Sequence, residues 1–398
     1  MLTIGLIKEG KVPADTRVAL SPAQCRWLHK NTEIKIFVQS CLTRCYKDAE
    51  YIQAGVEVVE NLEHCDVLMG IKEVPKEQLI PNKTYFFFSH TKKLQPYNQA
   101  MFKTMIDKNI TMIDYECLEH EDGQRIIGFG FFAGVVGAHN GMLCYGKRTG
   151  NFSLERVYKI KDYRQLIHTY FGLKLPPIKI AVTGSGRVAH GIIEVMNLMD
   201  VQEVEPEEYL EQSFPYPVFV HLKGGNLYQH KEGKTYKRAA FHQHPEEYEC
   251  LFKNYLRHTD ILLNGVYWDK NIPRLFEWND IATSNFKMQT IADITDDYNG
   301  SVPCNLGDAT IEELVYGVDR NTHQKVAPYS QNAIDIMAVG NLPNELPRDA
   351  SRFFGEQLIK YVLDDLRKGG SETLSRATIL KEGKLNNGYE YMQDYANS

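Results

Sequence analysis

The 398 residues exceed what one ordinary hydrophobic core holds, so two domains are expected. An apolar share of 43% with 24% charged residues excludes a disordered or fibrous chain, and a net charge of -6 without a basic stripe argues against nucleic acid as the main partner. The eight cysteines are scattered without a C-x-x-C pair, which argues against a zinc site and for reduced thiols in a cytoplasmic protein.

In chain order, Thr3–Ile7 reads as a first strand that meets Lys8-Glu9 at once, not as a signal peptide. Ser21-Pro22 opens a helix, with serine as the cap and proline at the first helical position. Strands follow at Ile34–Val38, Val67–Ile71, Thr84–Phe88 and Thr111–Ile113, with helical segments ending at Gly55 and spanning Asn98–Lys108. This alternation implies a parallel sheet. Lys72, Glu73, His90, Asp114 and Glu116 stand just after apolar strands, the edge at which open α/β sheets bind ligands. The greasiest run, IIGFGFFAGVVGA from Ile126 to Ala138, falls short of the roughly 18 apolar residues of a membrane span and reads as buried helix or strand.

The pattern weakens from Gly150 to Pro177, and the strand Lys179–Thr183 follows. It runs into Gly184-Ser185-Gly186-Arg187-Val188-Ala189 and a helical stretch Val188–Met199. A G-x-G-x-x-A turn between strand and helix suits a dinucleotide: the first glycine permits the turn, the second lets a pyrophosphate approach, and Ala189 lets helix and strand pack. Glu205, after a strand at Gln202–Val204, stands where an acid that binds the ribose 2′-hydroxyl belongs, which favours NAD. Arg187, His221 or Lys223 would instead receive a 2′-phosphate. The stretch from Glu207 to Tyr248 reads as polar, and its His242-Gln243-His244 lacks partners at metal-ligand spacing, so no metal is expected. Strands at Ile261–Val266 and Thr290–Ile294 and a helix after Ala350 complete the pattern.

Lys72 and His90 suit proton transfer, and Arg17 suits a substrate carboxylate. Each also has a bland reading, as a surface lysine, a strand-capping histidine and a solvent charge.

The opening IGLIKEGKVPADTRVALSP resembles the start of the alanine dehydrogenase and transhydrogenase superfamily. CDVLMGIKEVPKEQLIPNKTYFFFSHTKKLQPYN, VTGSGRVAHG, NGVYWDKNIPRLF, ADITDDYNGS and MAVGNLPNELPRDASRFFG resemble, in collinear order, lysine-forming saccharopine dehydrogenase and the lysine–ketoglutarate reductase half of aminoadipic semialdehyde synthase. The resemblance implies an α/β fold of two Rossmann-like parallel-sheet domains separated by a cleft. The substrate domain would be discontinuous, 1–135 plus 331–398, and the dinucleotide domain would be 136–330. The implied reaction joins L-lysine and 2-oxoglutarate through a carbinolamine and imine, reduced by NAD(H) or NADP(H) to saccharopine, with a monomer or homo-oligomer and no nucleic acid, membrane or metal. Lys72 and His90 match the catalytic pair. Arg17, Gln95, Phe129, Asp293 and Thr295 match substrate-contacting positions, and Lys11, Glu73, Lys93, Glu116 and Arg125 match charged positions around them. Gly184, Gly186, Arg187, Glu205, Tyr267, Ala292, Asn341 and Leu342 match cofactor contacts. Two alternatives stand beside this reading, an alanine dehydrogenase-like enzyme and a catalytically silent dinucleotide sensor.

Overall fold

The apolar runs of the sequence become strands whose order in space differs from their order in the chain. In a computed structural model, residues 1–121, 123–307 and 309–397 are described. The strands are β1 Leu2–Leu6, β2 Ile34–Gln39, β3 Glu57–Val59, β4 Val67–Met69, β5 Thr84–Phe87, β6 Thr111–Asp114, β7 Lys179–Thr183, β8 Gln202–Glu203, β9 Val218–Leu222, β10 Tyr228–His230, β11 Tyr248–Cys250, β12 Ile261–Asn264, β13 Thr290–Asp293, β14 Tyr316–Asp319, β15 Lys325–Val326, β16 Ala333–Met337, β17 Thr378–Lys381 and β18 Lys384–Leu385.

They form two eight-stranded, mostly parallel sheets and one small hairpin, β10–β11. The chain divides into two compact units, Met1–Phe129 with Pro347–Ser398, and Gly130–Leu346. Residues 130–135 and 331–346, read from the sequence with the substrate domain, fall in the second unit. The physical reason is pairing and packing: β16 lies between β13 and β14, and the helix Gly130–Thr149 packs on β12 and β13.

The first sheet runs β18-β17-β6-β5-β4-β1-β2-β3, parallel from β3 to β6 and antiparallel at β17 and β18. Its order reverses between β1 and β4, because the chain leaves β1 toward β2 and returns on the other side. In such sheets that switch point opens a crevice at the carboxyl ends of the two strands. The helix Pro22–Asn31 starts as the sequence dictates: Ser21 N–H donates to Gln24 Oε1 at 2.8 Å, and the Ser21 hydroxyl accepts from Gln24 N–H. The returning helix Pro347–Leu358 docks on this start, with Gln24 Nε2 donating to Arg352 O at 2.7 Å and Val18 N–H to Ser351 Oγ at 2.9 Å.

The second sheet runs β15-β14-β16-β13-β12-β7-β9-β8 and reverses between β7 and β12. One core of this unit gathers Tyr209, Val220, Phe252, Leu262, Phe276 and Ile291, all buried. The glycine-rich run becomes the helix Gly130–Thr149, which crosses the helix Arg187–Leu198 backbone to backbone. A Cβ on Gly134 would lie 2.0 Å from Val188 O, and one on Gly191 2.0 Å from Phe131 O. Residues 207–248 are not simply polar, for they hold β9, the helix Pro206–Glu211 and the β10–β11 hairpin.

Candidate active site and dinucleotide turn

In the first unit the polar groups converge at the switch point between β1 and β4. The loop after β1 carries Glu9, Lys11, Asp15 and Arg17, and the end of β4 leads to Lys72 and Glu73. The Glu9 carboxyl accepts from Ile71 N–H at 2.6 Å and Lys72 N–H at 2.9 Å, which pins the backbone that bears Lys72. Burial and the charge of Asp15 push Glu9 up to about 8, against the pull of those two N–H groups. Arg17 is buried, its Nε and Nη2 donating to Asp15 at 3.0 and 2.6 Å and its guanidinium lying 4.2 Å from the centre of the Phe129 ring. Burial would raise the Asp15 carboxyl, but the charge and hydrogen bonds of Arg17 hold it below the usual range. Phe129 stacks on Phe354 of the returning helix at 4.5 Å.

His90 follows β5 in the left-handed region, at φ 51°, a conformation that non-glycine residues hold only where neighbours enforce it. Asp114, at the end of β6, is the enforcer. It accepts from Ser89 N–H at 3.1 Å, from the Ser89 hydroxyl, and from Glu116 N–H at 2.7 Å, so one buried carboxyl ties the loop of His90 to that of Glu116. Burial lifts Asp114 to about 6. Asn98 Nδ2 donates to Ser89 O at 2.8 Å and closes the same loop from the other side.

The two imidazole nitrogens of His90 face carboxylates, Nε2 at 3.9 Å from Glu73 and Nδ1 at 3.9 Å from Glu116. Glu73 in turn holds Lys11 at 3.0 Å, and Glu116 holds Arg125 at 2.5 Å. Partial burial lowers the proton affinity of His90 and the Lys72 ammonium lowers it further, while Glu73 and Glu116 oppose this. Lys72 is half-buried, and its own proton affinity is lowered by burial and by the charges of Arg17 and Lys11. Burial would raise Glu73, but a backbone hydrogen bond, Lys11 and His90 hold it below the usual range.

The structure thus gathers Lys11, Arg17, Lys72, Glu73, His90, Glu116, Arg125 and Phe129 in one unit. Gln95 lies on the next turn, where its carbonyl accepts from Tyr395 O–H at 2.7 Å. Lys93 is exposed and makes no ion pair among the described residues. Sequence reasoning passed over Glu9 and Asp15, and it noted Asp114 only as a strand-end group. Lys8-Glu9 ends β1 just as Lys72-Glu73 ends β4, so the signal for Glu9 was present; the Asp15–Arg17 pairing had none.

In the second unit, Gly184 takes φ 105° at the end of β7, and a Cβ there would lie 2.3 Å from Gly265 O. Only glycine fits between β7 and the end of β12. Gly186 differs: a Cβ on it would meet nothing within 4 Å, so its face is open at the start of the helix Arg187–Leu198. That opening at a helix N-terminus fits a pyrophosphate. Ala189 is buried, as the packing argument requires.

The remaining substrate and cofactor positions expected from the sequence are placed in the second unit as follows. Asp293 ends β13 fully buried and accepts from Asn264 Nδ2, Asn305 Nδ2 and Thr295 Oγ1, each at 2.8 Å. Burial lifts it to about 6. Ala292 is fully buried, and its side chain faces the helix Gly130–Thr149, where a Cβ on Gly141 would lie 2.8 Å away. Tyr267 is exposed, and Asn341 leads into a turn where Leu342 is buried. Glu205 does not end the strand beside β7. β9 occupies that place, and Glu205 follows the outer strand β8 as an exposed residue capping the helix Pro206–Glu211.

Several known proteins are similar to this chain. The family profile "Alanine dehydrogenase/PNT, N-terminal domain" matches residues 5–136. The alpha-aminoadipic semialdehyde synthase of Rattus norvegicus is 28% identical over 95% of this chain and 46% of its own length. The lysine-forming, NAD(+) saccharopine dehydrogenase of Yarrowia lipolytica is 23% identical over 92% of this chain and 94% of its own. The chain is thus similar over most of its length to these enzymes, and over residues 5–136 to the N-terminal domain of alanine dehydrogenase. It spans about half the length of the synthases it matches. An L-alanine dehydrogenase structure superposes with a TM-score of 0.66 at 16% identity, covering 99% of both chains. A transhydrogenase of Sinorhizobium meliloti does so with a TM-score of 0.59 at 14% identity over 96% of this chain and 98% of its own. The chain therefore has the two-domain α/β fold of alanine dehydrogenase. No helix among the described residues is long and apolar enough to cross a membrane.

Proposed function

We propose that this chain interconverts L-lysine, 2-oxoglutarate and a reduced nicotinamide dinucleotide with saccharopine and the oxidised dinucleotide. The observation that carries the reading is the pairing of Lys72 and His90. They stand at neighbouring strand ends, the charge of Glu73 raises the proton affinity of both, and the charge of Lys72 lowers that of His90. The names of the homologues supply the substrate class.

The chemistry needs a base to free the ε-amine of lysine from its ammonium form, and an acid to protonate the hydroxyl that leaves the carbinolamine. A histidine pushed below its ordinary proton affinity is neutral at pH 7 and takes the proton from the amine at one ring nitrogen. Lys72 in its ammonium form gives a proton to the departing hydroxyl. Its lowered affinity brings it closer to the operating pH, which favours that transfer. Glu73 and Glu116 limit how far His90 falls; Lys11 helps to keep Glu73 ionised, and Arg125 pairs with Glu116. Arg17, oriented by Asp15 and by Phe129, supplies fixed positive charge for a substrate carboxylate. In the second unit Gly184, Gly186 and Arg187 would hold the dinucleotide, which when bound supplies the hydride that reduces the imine.

The test follows NADH and NADPH oxidation by the purified chain with lysine plus 2-oxoglutarate, and separately with pyruvate plus ammonium. Turnover with the first pair is expected. Turnover with the second pair alone overturns the proposal in favour of an alanine dehydrogenase, and tight dinucleotide binding without turnover overturns it in favour of a sensor.

A further inference from the structure

The turn that follows His90 carries Lys93 and Gln95, and a segment remote in the chain holds it from outside. His90 is fixed at its own end of this turn, where Asp114 ties Ser89 and Asn98 Nδ2 donates to Ser89 O. Further along, Leu94 N–H donates to Thr91 O at 2.7 Å and Leu94 takes φ 56°. A leucine keeps that left-handed conformation only where contacts enforce it. The carbonyls on either side of Lys93-Leu94 supply such contacts. Lys92 O accepts from Tyr391 O–H at 3.1 Å, and Gln95 O accepts from Tyr395 O–H at 2.7 Å. The two tyrosines stand four residues apart, in the turn Glu390–Met392 and the helix Gln393–Asn397, a spacing that puts both phenols on one face. Tyr395 is buried, with its ring 5.4 Å from that of Phe102 and its carbonyl accepting from Gln99 Nε2 at 3.2 Å, so the helix Gln99–Asp107 anchors it. Tyr391 is exposed, and water competes for its bond.

We infer that Tyr395, assisted by Tyr391, is a positioning residue for substrate: its hydroxyl holds the turn Thr91–Gln95 in the conformation that presents Lys93 and Gln95 to the ligand. This rests on the function proposed above, in which the Lys93 ammonium is a counter-charge for a carboxylate of 2-oxoglutarate. Tyr395 acts through the backbone of the turn, not through the reacting groups. Asp114 and Asn98 secure the His90 end without it. Loss of the hydroxyl therefore weakens substrate binding and spares proton transfer. A merely structural role would do the reverse, lowering the active fraction and kcat at constant KM.

The experiment compares the full chain with Tyr395→Phe, which keeps the ring on Phe102 and deletes only the donor. The KM for 2-oxoglutarate is expected to rise about threefold to tenfold, the effect of one neutral hydrogen bond. The kcat should stay within about twofold, and the acid limb of the pH profile should stay in place. Tyr391→Phe should raise KM by no more than about twofold, because its bond is exposed. Limited trypsin digestion, mapped by mass spectrometry, reads the turn directly. Cleavage after Lys92 or Lys93 requires the turn to open, and Lys92 O is one of the carbonyls held shut. Cleavage there should speed up about threefold to tenfold in Tyr395→Phe, with the rate at lysines of the second unit unchanged and melting within about 3 °C of the parent. Unchanged cleavage overturns the brace. Faster cleavage with an unchanged KM, or a fall in kcat alone, overturns its role in substrate binding. A parent that does not turn over lysine and 2-oxoglutarate overturns the proposed function and the substrate role with it, while the digestion still decides the brace.

Discussion

His90 sits between two carboxylates and near one ammonium, and that arrangement fixes the direction in which its titration moves. In its proposed role of base it works when neutral, so kcat/KM should fall as pH drops through a value below the ordinary histidine pKa of about 6.5. Burial and Lys72 set that direction, while Glu73 and Glu116 restrain it. Glu73→Gln removes one restraint, so the acid limb should move to lower pH, by about half a unit to one unit for a charge at this distance in a partly solvated site. A pH profile of kcat/KM for lysine checks this. A limb that stays in place, or moves up, contradicts a direct electrostatic contact between Glu73 and the base. The resemblance named Lys72, His90, Glu73 and Glu116, yet nothing in the spacing showed that Asp114 clamps two of their loops together. That clamp is one buried carboxyl reaching across two loops, and such reach is invisible in a linear pattern.

Strands and helices were legible where they carry long apolar periodicity, and illegible where sheet order matters. β7 and its glycine turn stand out as an apolar run followed by G-x-G-x-x-A. β9 did not, because its five residues VFVHL lie in a polar stretch and two prolines precede it. Missing β9 left β8 as the apparent neighbour of β7 and moved Glu205 one strand too close. The glycines of this region separate packing from binding. Gly134→Ala would drive a Cβ to 2.0 Å from a backbone oxygen, which only a shift of one helix against the other relieves. Overpacking of this kind costs about 1–3 kcal/mol, so the variant should melt clearly below the parent by calorimetry. Gly186→Ala meets open space and has φ -95°, which alanine adopts freely. It should melt within about 1 °C of the parent while binding dinucleotide about tenfold more weakly, because the added methyl stands where a pyrophosphate approaches. Equal melting of the two variants would contradict the assigned helix crossing. Unchanged binding by Gly186→Ala would contradict the assigned approach.

At the scale of the whole chain, length and βα alternation gave two parallel-sheet domains, and the resemblance gave a discontinuous first one. The boundary lay beyond both, because Ala333–Met337 is an apolar run that either sheet would accept, and only its pairing with β13 decides. The division into units has a kinetic consequence. The proposed acid–base groups belong to one unit and the glycine turn to the other. A substitution in the first that removes only chemistry should therefore spare dinucleotide affinity. Lys72→Met keeps a half-buried, unbranched side chain and deletes the proton donor, so turnover should fall by about two orders of magnitude, the usual share of one acid–base group. The dissociation constant for the reduced dinucleotide, read by its fluorescence, should stay within about twofold, which corresponds to less than about 0.5 kcal/mol. The pair of measurements is what discriminates. A loss of affinity that matched the loss of turnover would mean that Lys72 holds ligand rather than moving a proton. Full turnover in Lys72→Met would remove it from the mechanism and leave His90 as the one titrating group of the proposed pair.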